Sequence, residues 1–382
     1  MRLPSELARR DNNFNALRML GAVAIVFAHG YNITSGRVES EDPVEALVYA
    51  SGFRALDLFF IFSGFLVTAS LLQRRDGVRF WVSRGLRLFP ALLVVSVAIV
   101  VVIGPLNTDL PLADYVLSGE TWLYPLVTGL TTYPDMPLPG VFEAQPVAGA
   151  VNVLIWTLRY ELILYAGVFL AFCCGLLTHE RAFAAAFAVL LLSYGALTSL
   201  TDLRDQIAFV DHAAHFSVSF AFGAFVWVFR RVIPLSAGLM LAGWAGAWLL
   251  AGTPLSDLAR IAAAGYSFFW LAFLPAGWLR RYNRLGDYSY GLYIVHWPIA
   301  QTLHANVPDL PPVLIGLSSL ALSLPLAVAS WHVVEKPCLA CVDDVTRLVK
   351  RAVSRPSGTE AAAEALPPRT RPADPALPSR KT

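Results

Sequence analysis

The chain has 382 residues, 56% of them hydrophobic and 15% charged, with a mean hydropathy of +0.57 and a formal net charge of +2. This composition is too apolar for a soluble domain and fits a chain that lies mostly within a bilayer. The near-neutral balance gives no global basic field, so nothing argues for nucleic acid as a partner.

A membrane-crossing helix needs about 20 mostly apolar residues. Ten segments read this way: 15–34, 46–72, 86–105, 150–176, 182–200, 208–229, 234–251, 259–279, 288–306 and 312–334. The expected fold is therefore an all-α polytopic membrane protein. The first apolar run follows a polar, arginine-bearing segment and is long enough to span, so it reads as a retained anchor and not a cleaved signal. Lys and Arg placement sets the orientation. One set of loops carries Arg2, Arg9, Arg10, Arg74, Arg75, Arg79, Arg84, Arg87, Arg181, Arg230, Arg231, Arg280, Arg281, Arg284 and Lys336; the other carries Arg37 and Arg204. Both termini are expected in the cytoplasm and 106–149 outside. This divides the chain into a cytoplasmic segment 1–14, a membrane domain 15–338 and a cytoplasmic, largely disordered tail 339–382, rich in Pro, Ala and Arg.

The first span, "FNALRMLGAVAIVFAHG", carries Arg18 and His29, each costly in hydrocarbon unless held by something specific. They are 11 residues apart, about three turns and roughly 16 Å on one helical face, which points to a cavity-lining stripe. The second span, "FRALDLFFIFSGFLV", holds a deep Asp57 with Arg54 three residues earlier, within pairing reach. Its Ser63-Gly64 pair offers a close backbone approach or a helix break. At the cytoplasmic mouth of the third span, "RGLRLFP" sets Arg84 and Arg87 on neighbouring positions, where guanidinium forks suit phosphate. The long external loop, 106–149, mixes Pro, Gly, Trp and Tyr with acids; its aromatics suit either interface anchoring or stacking on sugar rings, and both readings stay open.

The fourth span, "WTLRYELILY", places Glu161 well inside the membrane with Arg159 nearby, and a buried carboxylate needs a partner. His212 and His215, three apart, have a spacing that suits metal, but no third ligand is evident, so no metal site is expected. The ninth span, "YSYGLYIVHWPI", puts His296 within the membrane. Of the four cysteines, Cys173–Cys174 and the Cys338/Cys341 pair read as small apolar filling.

Taken in order, "FNALRMLGAVAIVFAHG", "LDLFFIFSGFLV", "RGLRLFP", "WTLRYELILY", "YSYGLYIVHWPI" and "VEKP" resemble the acyltransferase-3 family of bacterial integral-membrane O-acyltransferases, with a style close to members that acetylate exopolysaccharides. The resemblance covers about residues 12–338. It implies transfer of an acyl group, acetyl first, from cytoplasmic acyl-CoA to a hydroxyl of a cell-surface or exported saccharide, in the bacterial inner membrane, with no tightly bound cofactor. Arg18, Arg84 and Arg87, with the Ser63-Gly64-Phe65 segment, would hold the donor. His29 would be the base, or a nucleophile relaying the group, with Asp57 or Glu161 orienting its ring. Arg159 departs from the family pattern and is expected to pair with Glu161. A lipid-linked, peptide or secondary-metabolite acceptor is an alternative, and so, in a different class, is a transporter lined by the same charges; no self-similarity between halves is evident. Oligomeric state, a homo-oligomer included, stays open.

Overall fold

The computed structural model describes residues 12–353, apart from 132, 134, 135, 201–205, 275 and 276. Among the described residues it is helical throughout, with one isolated bridge, Thr108 to Val141, in place of any strand. The principal helices are α1 Phe14–Ser35, α2 Pro43–Arg74, α3 Gly77–Ala98, α4 Leu112–Leu117, α5 Gly119–Thr131, α6 Trp156–Cys173, α7 Glu180–Leu200, α8 Ala208–Val228, α9 Ala237–Leu249, α10 Ser256–Phe273, α11 Gly277–Arg281, α12 Ser289–Asn306, α13 Pro312–Ser330 and α14 Val342–Val353. A π-helical turn carries α3 on to Asn107, and another carries α13 on to Ala340.

Helices occupy all ten positions read as spans. Seven of these segments are long and apolar enough to cross a membrane: Phe14–Ser35, Pro43–Arg74, Gly77–Asn107, Val153–Cys173, Glu180–Ser199, Ala208–Val228 and Pro312–Ala340. The other three expected spans correspond to shorter helices, α9 with 13 residues and α10 and α12 with 18 each. At 1.5 Å per residue those reach about 20–27 Å, against a hydrocarbon core of about 30 Å.

Local chemistry fixes the helix ends. Asp42 caps α2, accepting from the Val44 and Glu45 amides at 2.9 and 3.0 Å, with Pro43 in the first turn. Asp76 caps α3 by accepting from the Arg79 amide at 3.1 Å. Of the two readings of Ser63-Gly64, the structure shows the close backbone approach, and the helix runs through without a break. Gly64 lets α2 and α8 touch: a Cβ at Gly64 would run into the Phe220 carbonyl, and one at Gly223 into the Ile61 carbonyl. α1 packs between α2, α12 and α13, which brings two late helices against the first.

The 106–149 segment has structure of its own. Tyr115 and Tyr124 are buried, and the Tyr115 hydroxyl donates to the Val100 carbonyl at 2.9 Å, tying the segment to the end of α3. These two rings therefore serve neither of the roles expected for them, while Trp122 remains exposed. In the expected tail, 342–353 forms the strongly amphipathic α14, which lies on α3 through Arg79–Asp343 and a 2.6 Å Lys350–Asp76 pair. Residues 354–382 lie outside the described residues.

The glycine contact between α2 and α8 yields a direct expectation. Gly64→Ala and Gly223→Ala should each destabilise the protein by about 1–3 kcal/mol, because backbone cannot retreat as a side chain can. Gly167→Ala, where a Cβ meets nothing within 4 Å, should not. Thermal unfolding in detergent decides; equal midpoints for all three would contradict the close contact.

Candidate active site

Arg18 and His29 do share α1, but each reaches a different cavity. The Arg18 guanidinium binds the Asp287 carboxylate in the segment before α12. Arg87 binds the same oxygen at 2.6 Å and Glu335 at 3.3 Å. Asp287 also accepts from Ser289 Oγ at 2.7 Å, and Glu335, fully buried, accepts from Ser330 Oγ at 3.0 Å. Burial alone would raise the Asp287 pKa; Arg18 and Arg87 beside it outweigh that and hold it down to about 2. Arg84 differs. Among the described residues it has no carboxylate within ion-pair reach, and its guanidinium lies over the rings of Tyr165 and Phe80 at 5.7 and 6.0 Å.

These three arginines line a cavity of about 120 Å³ together with Ser63, Glu161 and Tyr165. Glu161 accepts from Ser63 Oγ at 3.2 Å and from the Tyr165 hydroxyl. Gly64 and Phe65, expected beside the donor, turn away. Gly64 faces α8, and Phe65 is buried among Phe14, Trp227 and Phe269, because successive helical positions point about 100° apart.

The second cavity, about 740 Å³, is lined by His29 with Asn32, Tyr49, Phe53, Arg54, Trp156 and Trp297 among others. Leu56 and Tyr293 line both cavities and form the wall between them. Tyr293 is pinned from α6 and the turn before it: its hydroxyl lies 2.8 Å from Thr157 Oγ1 and donates to the Leu154 carbonyl at 3.1 Å.

His29 meets neither expected carboxylate. Its Nδ1 lies 2.9 Å from Nε2 of His296, with the two rings within 14° of parallel and Trp297 edge-on at 5.0 Å. His296 Nδ1 lies 3.0 Å from the Leu292 carbonyl. A carbonyl only accepts, so Nδ1 of His296 carries the hydrogen. In the neutral ring its Nε2 must then accept, and His29 Nδ1 must donate. That leaves the Nε2 lone pair of His29 as the basic position of a ring that lines the larger cavity. α12 is held in register for this contact partly by Pro298. Lacking an N–H, Pro298 leaves the Ile294 carbonyl without its helical donor, and Asn152 Nδ2 supplies one at 3.0 Å.

Asp57 belongs to another group. It accepts from Arg54 at 2.7 Å, His215 Nε2 at 2.7 Å and Ser219 Oγ at 2.9 Å; His215 Nδ1 in turn lies 3.2 Å from Asp257. The Arg54–Asp57 pair is present, as its spacing predicts. His215 is committed to carboxylates, and His212 stands edge-on to Trp156 at 4.6 Å. Arg159 does not pair with Glu161. Two residues apart on one helix, they point to opposite sides, and Arg159 lies over Tyr160 and Phe209 at 5.2 and 5.6 Å.

Sequence reasoning noted His296 but not its partner, and it missed Asp287 and Glu335. Asp287 sits one residue before a span and Glu335 at the end of another, positions where a carboxylate attracts no notice until its guanidinium is known.

A model of the acyltransferase-3 family, described as an acyltransferase domain, matches residues 11–332. Nodulation protein 10 of Rhizobium leguminosarum bv. viciae is 28% identical over 375 residues, covering 90% of this chain and 96% of its own. An O-acetyl transferase of Shigella phage Sf6 is 25% identical over 353 residues, covering 86% and 96%. No solved structure matches. A family match over most of the chain, on a bundle whose helices are built for a bilayer, leads to one conclusion: this chain belongs to the acyltransferase-3 family and is a membrane-embedded O-acyltransferase.

Proposed function

We propose that the protein moves an acyl group, acetyl first, from cytoplasmic acyl-CoA to a hydroxyl of a saccharide on the far side of a bacterial inner membrane. The observation that carries this is the neighbourhood of two cavities: Arg18 from α1 with Arg84 and Arg87 from α3 line one, His29 from α1 lines the next, and Leu56 and Tyr293 line both. The arginine cavity suits the donor. Guanidiniums bind phosphate, and Arg84 is the one of the three that needs no exchange of carboxylates to do so. The histidine cavity suits a sugar. Trp156, Phe53 and Tyr49 offer ring faces, and Asn32 and Asp211 offer hydrogen-bonding partners for hydroxyls.

A sugar hydroxyl ionises far above neutral pH and needs a base in the transition state. In direct transfer, His29 Nε2 takes the hydroxyl proton as the oxygen attacks the thioester carbonyl. The new C–O bond forms, the C–S bond breaks, and the proton passes from His29 to the departing thiolate. His29 Nδ1–H keeps its hydrogen bond to His296 throughout. The arginine-rich end of the bundle, with Arg18, Arg74, Arg84 and Arg87, reads as cytoplasmic, and 106–149 as external; α9, α10 and α12 complete ten crossings with local thinning of the bilayer.

His29→Gln should lower acetyl transfer by about 10²–10⁴-fold at equal protein level. His296→Ala should also lose most activity, because nothing then sets the His29 tautomer. His296→Gln, which retains an acceptor oxygen, should recover part of it, with unchanged donor affinity. Acetyl transfer in membranes carrying each variant is the measurement; His296→Ala at wild-type turnover would contradict the tautomer argument.

Topology has its own test. With the native Cys173, Cys174, Cys338 and Cys341 replaced, Leu117→Cys should react with an impermeant thiol reagent from outside and Ala352→Cys only after permeabilisation. Reaction of both from the same side would contradict the ten-crossing arrangement.

A further inference from the structure

A third cavity, about 700 Å³, opens at the arginine end between the start of α1, the segment before α12 and the continuation of α13. It adjoins the arginine cavity at two points. Leu66 lines both, and Asp287 lines the third cavity while its partners Arg18 and Arg87 line the other. Its chemistry is different from that of its neighbour. Asn15 contributes a carboxamide, Trp331 an indole, and Lys336 and His332 cationic or basic nitrogen; Asn283 Nδ2 donates to the Asn12 carbonyl, and Asp287 is neutralised by two guanidiniums. The indole has its place only because residue 286 is glycine; a Cβ there would collide with it.

We infer that this cavity binds the adenosine 3′-phosphate end of the acyl donor, with the adenine against Trp331 and the phosphate at Lys336. The inference rests on the acyl-CoA reading above and extends it to residues outside the arginine cavity. A carboxamide pairs with the donor–acceptor edge of adenine, an indole stacks on its face, and an ammonium meets a phosphate as a point charge. With the nucleotide here, the diphosphate falls at the Arg18–Asp287–Arg87 bridge, and the pantetheine arm enters the arginine cavity beside Leu66. A rival cavity of about 200 Å³ beside Arg74, Arg79 and Arg84 is smaller, has no carboxamide, and has Arg79 already engaged by Asp343. It suits a bare anion but not a purine.

Calorimetry on the purified full chain with three probes tests this: CoA, adenosine 3′,5′-bisphosphate and S-acetyl-4′-phosphopantetheine, which lacks the nucleotide. In the wild type, the bisphosphate should compete with CoA. Trp331→Leu and Lys336→Gln should each weaken CoA about tenfold, while phosphopantetheine keeps its wild-type affinity, which also shows that the variants are folded. Trp331→Tyr, which retains a stacking face, should lose much less. Equal weakening of CoA and phosphopantetheine, or CoA binding that the bisphosphate does not compete with, would overturn the site alone. A wild type that binds neither CoA nor phosphopantetheine would overturn the donor reading and this site with it.

Discussion

Asp287 is the residue on which the arginine end of the protein depends. A guanidinium deep in a helix bundle must be partnered, and here one carboxylate oxygen serves two, from α1 and α3. Glu335 adds a third acidic contact through Arg87. The first, third, twelfth and thirteenth helices are thereby joined at one point, and removal of the carboxylate would take from Arg18 its carboxylate partner and leave Arg87 with Glu335 alone. The same arrangement keeps Arg18 and Arg87 oriented toward the cavity with their charge largely compensated. Donor phosphates would compete with Asp287 for guanidiniums already in position, so little side-chain ordering is left to accompany binding.

At the other end, one backbone carbonyl has the corresponding importance. Leu292 fixes the hydrogen on His296, and His296 fixes the hydrogen on His29. A carboxylate could orient an imidazole too, but it would bring a charge into a region where each charge needs its own partner. The neutral pair avoids that. The carboxylates expected to orient His29 lie elsewhere: Asp57, with Asp257, holds Arg54 and His215, and Glu161 is bound to Ser63 and Tyr165 in the smaller cavity.

Local pattern accounts for what the sequence disclosed. Each apolar run is a helix because its residues satisfy one another's backbone groups wherever they sit. Arg18 and His29 could be placed on one stripe because helical spacing is a local property. The Arg54–Asp57 pair could be read for the same reason. Partners across 267 or 269 positions could not, and these decide the site: His296 for His29, Asp287 for Arg18. Arg159 shows the opposite error, since nearness in sequence to Glu161 counted for nothing once two positions of helical rotation were considered. The Ser63-Gly64-Phe65 segment reads as a unit, but a helix faces its three residues toward a cavity, a neighbouring backbone and an aromatic core.

The central claim is that donor and acceptor occupy adjoining cavities that open to opposite sides of the membrane, with the acyl group passing where Leu56 and Tyr293 line both. Sealed inside-out vesicles test it most directly, with radiolabelled acetyl-CoA added outside, at the cytoplasmic face, and a saccharide acceptor trapped in the lumen. Label should appear on the lumenal saccharide and be absent when acetyl-CoA is confined to the lumen. Transfer only when donor and acceptor share a side would contradict the two-cavity account.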